Sequence, residues 1–226
     1  MGLNVKSASG VYVGIIDGSF RKVVSEETEG AVKRTYEVTD ERTKEVFKKT
    51  KYELVYGSVD GIIKGIEFKD SKYGTSLILT VDDINISMKT SKKYFDDFAK
   101  KIPNIDFSEN ISLTPFDFVG NNGKNVRGIT ILQNGEKLKN YYYDGEKNLN
   151  GFPEYPKDAP IKGDKSLKAK NFWTIHFLGV EEFLTEKVME LAKEKGVLDA
   201  EKKEEVKEEA GEAPEKKVEE DDDLPF

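Results

Sequence analysis

The chain has 226 residues, 37% hydrophobic and 35% charged, with 36 basic and 43 acidic side chains for a net charge of −7. The absence of cysteine excludes disulfides and thiolate metal sites, and no apolar run approaches the ~18 residues that cross a bilayer. The charge is unevenly placed: residues 199–226 hold 13 acidic and 5 basic side chains, leaving 30 acidic and 31 basic in residues 1–198. A nearly neutral body, able to carry basic patches, is thus joined to a strongly acidic tail.

In chain order, "GVYVGIIDG" (10–18) is a short apolar run ending in an Asp-Gly turn signal. "RTYEVTDERTKEVFKKTKYELVYG" (34–57) alternates polar and apolar residues on both sides of a polar break, which predicts a hairpin with one wet face lying against the main body. "GSVDGIIKGIEFKD" (57–70) predicts a long strand whose glycines mark a bulge or bend, followed by a turn at 71–74. "TSLILTV" (75–81) and "INISMK" (84–89) follow as strands joined through Asp82-Asp83. A helix comes next, with Ser91 as N-cap, a stripe of Phe95, Phe98, Ala99 and Ile102, and Pro103 as its stop. "NISLTPFDFVG" (110–120) and a strand over 126–144 that turns back at Asn134-Gly135 complete the set. Three strands, a helix and two strands is the order of an OB-fold, a five-stranded Greek-key barrel.

The predicted fold class is therefore mainly β, an OB-fold with extra N-terminal strands. Residues 145–170 read as a loop, "NFWTIHFLG" (171–179) as one more strand, and 180–195 as a helix with Leu184, Val188, Leu191 and Ala192 on one face and Gly196 at its end. Beyond Asp199 the apolar residues thin out, and the tail is expected not to fold.

Enzyme signatures are scarce. His176 is the single histidine and sits in an apolar stretch, and no zinc spacing occurs. "GNNGK" (120–124) has the wrong glycine spacing for a phosphate loop and reads as a hairpin turn. Asp82-Asp83 is the local candidate for a carboxylate metal site, and a turn is the simpler reading. No catalytic residue, metal or other cofactor is expected.

Binding of single-stranded nucleic acid needs a cationic groove for phosphates and exposed rings for base stacking. Lys64, Lys69, Lys72 and Tyr73 lie on the first barrel strand and the loop after it, and Lys89, Lys92, Lys93 and Tyr94 surround the helix start. Phe116 and Phe118 share parity with Ser112 and Thr114, opposite to Ile111 and Leu113, which places them on the sheet surface. Lys124, Arg127, Lys137, Lys139, Tyr141, Tyr142 and Tyr143 cluster on the last hairpin, while Trp173 reads as core. Aromatic residues at strand parity are more often core than platform, so these remain candidates.

The chain closes on "EEDDDLPF". This resembles the acidic tip of bacterial single-stranded DNA-binding proteins, in which an OB-fold holds the strand and the tip recruits replication, recombination and repair proteins. The resemblance implies that Asp221, Asp222, Asp223, Leu224, Pro225 and Phe226 form a docking peptide, with Phe226 as anchor and the aspartates steering a basic partner. The body departs from that family in its 55 or so preceding residues and in its Lys/Glu-rich linker. Through "GIEFKDSKYG", "KKYFDDFAKKIPNIDF" and "QNGEKLKNYYYD" it is similar to the divergent single-stranded DNA-binding proteins of tailed bacteriophages. Many of those are monomers or dimers, so the resemblance admits a homodimer. The expected organisation is a binding domain over 1–198 and a tail over 199–226, with single-stranded DNA and replication or recombination proteins as partners, no membrane, and the bacterial cytoplasm as location. The rivals are a metal-dependent nuclease carrying a borrowed tip and an adaptor that binds protein alone.

Overall fold

Asp17 and Gly18 both take left-handed backbone, at φ 49° and 69°. This two-residue turn matches the twist of the strands it joins and closes β1 (Val11–Ile16) onto β2 (Ser19–Val24). The Asp-Gly signal thus marks a hairpin whose second strand the sequence reading did not single out. The structure is a computed structural model that describes residues 10–39, 43–121, 123–160 and 166–198. The tail at 199–226, with the tip residues 221–226, lies outside the described residues.

The remaining strands are β3 (Val32–Thr39), β4 (Val46–Tyr56), β5 (Val59–Gly61), β6 (Ile63–Lys69), β7 (Ser76–Val81), β8 (Ile84–Lys89), β9 (Ile111–Val119), β10 (Asn125–Gln133) and β11 (Glu136–Lys137). The helices are α1 (Lys93–Ala99), extended by a 3-10 turn at Ile102–Asn104, and α2 (Leu167–Glu194). The fold is mainly β. A seven-stranded sheet runs β3-β4-β2-β1-β8-β7-β6, and a four-stranded sheet runs β11-β10-β9-β5.

The glycine-interrupted strand divides as its sequence suggests. β5 pairs with β9 in the small sheet and β6 with β7 in the large one. At the break, Ile62 N–H donates to Asp82 Oδ1 (3.3 Å) and Asp82 N–H donates to Ile62 O (2.9 Å). One chain segment therefore serves both sheets, with a bulge between Ile63 and Gly65.

The five-stranded barrel is not closed among the described residues. Closure needs β8 to pair with β10, and both edges are otherwise engaged. β1 lies parallel to β8, with Val11 opposite Ile84 and Val13 opposite Ile86. On β10, Asp97 of α1 accepts from Ile129 N–H (2.7 Å), and Lys101 donates to Ile129 O (2.6 Å) while pairing with Asp97 at 2.6 Å. Side chains of α1 and of the turn that follows it thus satisfy backbone groups that a neighbouring strand would have taken. Gly128 permits this approach, since a Cβ there would overlap the Asp97 carboxylate and lie 2.6 Å from Phe116 Cζ.

The core fills the space between the sheets and is closed by the helices. Val13, Phe20, Ile66, Leu77, Leu79 and Ile86 face it from the large sheet, Leu113, Ile129 and Ile131 from the small one, and Phe95 and Phe98 from α1. The helix α1 begins at Lys93, with Lys92 as an N-cap that makes no side-chain bond, so the expected Ser91 cap is not used.

The expected strand at 171–179 is instead the first half of α2, a single 28-residue helix capped by the Ser166 hydroxyl, which accepts from Ala169 N–H. Its buried residues, Ala169, Val180, Leu184, Val188 and Ala192, fall on one stripe through both halves. Intrinsic preferences differ by under ~1 kcal/mol per residue, whereas extension of an anchored helix adds a hydrogen bond per residue. The aromatic and β-branched run Phe172 to Phe177 is therefore carried into the helix from its packed end. After Gly196 the chain runs along the edge of β6, where Ile66 N–H donates to Val197 O (2.8 Å).

Candidate nucleic-acid interface

The turn after β6 is built by Ser71, whose hydroxyl donates to Gly74 O (2.9 Å) and accepts from Tyr73 N–H (3.1 Å). It presents Tyr73 to solvent at 64% exposure. Lys72 Nζ lies 5.0 Å and Lys89 Nζ 5.7 Å from the centre of that ring. A bond from Thr90 N–H to Thr75 O (3.1 Å) holds the end of β8 against this turn. The ring and two ammonium groups are thereby fixed beside each other, each cation–π contact being worth ~0.5–1 kcal/mol at an exposed site. Lys69 pairs with Glu67 at 3.4 Å and Lys93 with Asp96 at 3.6 Å. Lys92 is exposed between the Tyr73 turn and α1.

The other half of this end is joined through α1. Tyr94, half-buried, accepts from Gly18 N–H through its hydroxyl (2.9 Å). Burial pushes its phenol above the ordinary value, and the Gly18 bond opposes that shift. Gly18 in turn packs on the backbone of Phe116 and Asp117, where a Cβ would stand 2.6 Å from Asp117 N. Phe116 and Phe118 lie on the outer face of β9 as their parity predicts, ring centres 5.8 Å apart, with Phe118 54% exposed and Phe116 half-buried against Gly128. Arg127 donates to Asp117 at 2.7 Å, which offsets part of its charge. Lys124 is exposed at the β9–β10 turn, where its carbonyl accepts from Gly120 N–H (2.8 Å), so "GNNGK" is a hairpin connection.

The remaining sequence candidates lie elsewhere. Tyr141 N–H donates to Lys100 O (2.8 Å), placing the segment with Lys137, Lys139, Tyr141 and Tyr143 at the far end of α1 from Lys92 and Tyr94. Tyr142 corrects the sequence reading. It is 4% exposed, packed between Phe152 (5.7 Å) and Phe183 (5.5 Å), and closed to a base. Tyr141 and Tyr143 stay exposed because alternate residues of the segment point outward. Lys64 is exposed at the bulge of β6, the strand flanked by residues 197–198. Trp173 is half-buried on α2 and joins Tyr155, His176 and Phe177 in a ring cluster, which accounts for the lone histidine.

Asp82 sits in the β7–β8 turn at φ 48° with its carboxylate on Ile62 N–H, consistent with a turn. Among the described residues no group of three His, Cys, Asp or Glu side chains could hold a metal ion, and no helix is long and apolar enough to cross a membrane.

Sequence reasoning passed over the outer face of the large sheet. Tyr12 stands on it at 44% exposure, and the β3–β4 hairpin continues it with Arg34, Tyr36, Phe47, Lys49 and Lys51. The signal was the two-residue spacing of Arg34 with Tyr36 and of Phe47 with Lys49 and Lys51. No family model, curated protein or solved structure matches the chain. The functional reading therefore rests on these residues.

Proposed function

We propose that the protein binds single-stranded DNA without sequence preference and that its body is an OB-fold opened at one ladder. In support, the ladders β6·β7, β7·β8, β9·β10 and β5·β9 are four of those expected for such a barrel, and α1 follows the third barrel strand. The observation that carries the binding reading is Tyr73, an exposed ring with lysine ammonium groups at 5.0 and 5.7 Å, at the same end of the molecule as the exposed ring of Phe118. Rings of this kind offer stacking surface to any base, and the lysines meet the phosphates between them. Binding of this type requires no catalytic group. The tip residues 221–226 serve as the docking peptide for replication or recombination proteins, a role that rests on the resemblance of "DDDLPF" to the bacterial tip.

The test is Tyr73→Ala and Phe118→Ala in an oligo-dT binding assay. Each change is expected to weaken binding by about 1–3 kcal/mol with little change in thermal midpoint, since both rings are exposed. Loss of Phe226 should leave oligo-dT affinity nearly intact and, in a separate pull-down of replication or recombination proteins, abolish partner capture. Unchanged affinity in both ring variants would overturn the placement of the site.

A further inference from the structure

The β3–β4 hairpin has two unlike faces. Register sets Arg34 opposite Lys51, Tyr36 opposite Lys49 and Val38 opposite Phe47 on one face. On that face Arg34 lies 4.9 Å and Lys51 5.7 Å from the centre of the Tyr36 ring, and Lys49 lies 5.3 Å from that of Phe47. The reverse face pairs Glu37 with Lys48 and Thr35 with Thr50, and its aromatic Tyr52 is bonded to Glu26 at 2.5 Å. The reverse face also carries Lys33, opposite Tyr52, and Lys48, but the three cation–ring contacts of the arm fall on the first face. An edge strand bears lysines to discourage pairing with other chains, but that purpose does not require rings beside them on the same face.

The charged face is continuous with the end already described. Arg21 on β2 lies between the arm and the Asp17-Gly18 turn, bonding to Glu53 (3.2 Å) and lying 4.0 Å from Asp17, while Gly18 packs on Phe116 and Asp117. Arg21 and Arg34 are engaged with Glu53, which leaves Lys49 and Lys51 as the cations of this face that can meet a ligand. From Val55 to Phe47 the strand extends about 26 Å at ~3.3 Å per residue.

We propose that this arm is a second single-strand contact, with Lys49 and Lys51 on phosphates and Tyr36 and Phe47 beside the bases, extending the track from the Tyr73–Phe118 end. This rests on the proposed DNA-binding function and adds to it a site outside the barrel strands.

The double variant Lys49→Ala/Lys51→Ala tests it in the full chain, with Lys49→Arg/Lys51→Arg as the charge-preserving control. For a long oligo-dT, the slope of log affinity against log salt should fall by about 1.4, from ~0.7 per phosphate contact on a single strand, and the arginine variant should restore it. For an oligo-dT of about five nucleotides, near the smallest OB-fold site sizes, variant and wild type should bind alike. An unchanged slope on the long strand, or an equal loss on both lengths, would overturn the arm while leaving the proposed function standing. Failure of the wild-type protein to bind either strand would overturn both.

Discussion

Glu53 keeps its carboxylate at 1% exposure by accepting at Oε1 from Arg34 (2.7 Å) and at Oε2 from both Arg34 (2.8 Å) and Arg21 (3.2 Å). The Arg34 hydrogen bond holds its carboxyl below the ordinary range, against the opposing effect of burial. A depressed folded value contributes stability above the unfolded pKa of about 4.3 and loses it as pH falls through the lower folded value. Replacing Glu53 with Gln should cost roughly 2–3 kcal/mol at neutral pH, because two arginines are left without their charge partner. Thermal midpoints from pH 7 down to 3 check both points. The wild type should lose its advantage over the variant in acid, and a constant difference would contradict the assignment. In the sequence, Glu53 is one more alternating polar residue. Its burial depends on arginines 19 and 32 positions away, which no local pattern reveals.

At the scale of elements, the strands of 57–133 and the helix between them were legible because alternation and the Phe95/Phe98 stripe are local signals. The C-terminal half of α2 and its stop at Gly196 were legible too, but its N-terminal half was not. Phe172, Trp173, Thr174, Ile175 and Phe177 carry strand character, and the choice of helix was made by the packed stripe downstream at Val180, Leu184 and Val188. Gly179 lies inside this helix with open space around its would-be Cβ. Gly179→Ala should therefore stabilise the protein by about 0.5–1 kcal/mol, read as a higher denaturant midpoint. A loss of stability would argue against a continuous α2. At the N-terminus, β1 and the β3–β4 hairpin were legible as strands and β2 was not, and the place of β1 beside β8 was hidden because β1 and β10 compete for one edge. The outcome depends on Asp97 and Lys101 reaching Ile129 across 32 and 28 residues.

For the whole molecule, sequence reasoning separated a near-neutral body from an acidic tail, and named rings and lysines that the fold then divided. Tyr73, Lys72, Lys92, Tyr94, Phe116, Phe118 and Arg127 share one end, whereas Lys137, Lys139, Tyr141 and Tyr143 fall at the other. The reason is that α1 runs between them and β10 turns back only after crossing the sheet. The arm lay outside that list because its cations are spread over two strands and combine only through cross-strand register. Single-strand binding is tested most directly by titration of the full chain with oligo-dT, followed by the fluorescence of Trp173 and the tyrosines at low and high salt. Saturable quenching is expected at low salt, with an affinity that falls steeply and log-linearly as salt rises. No quenching and no retained strand at low salt would contradict it.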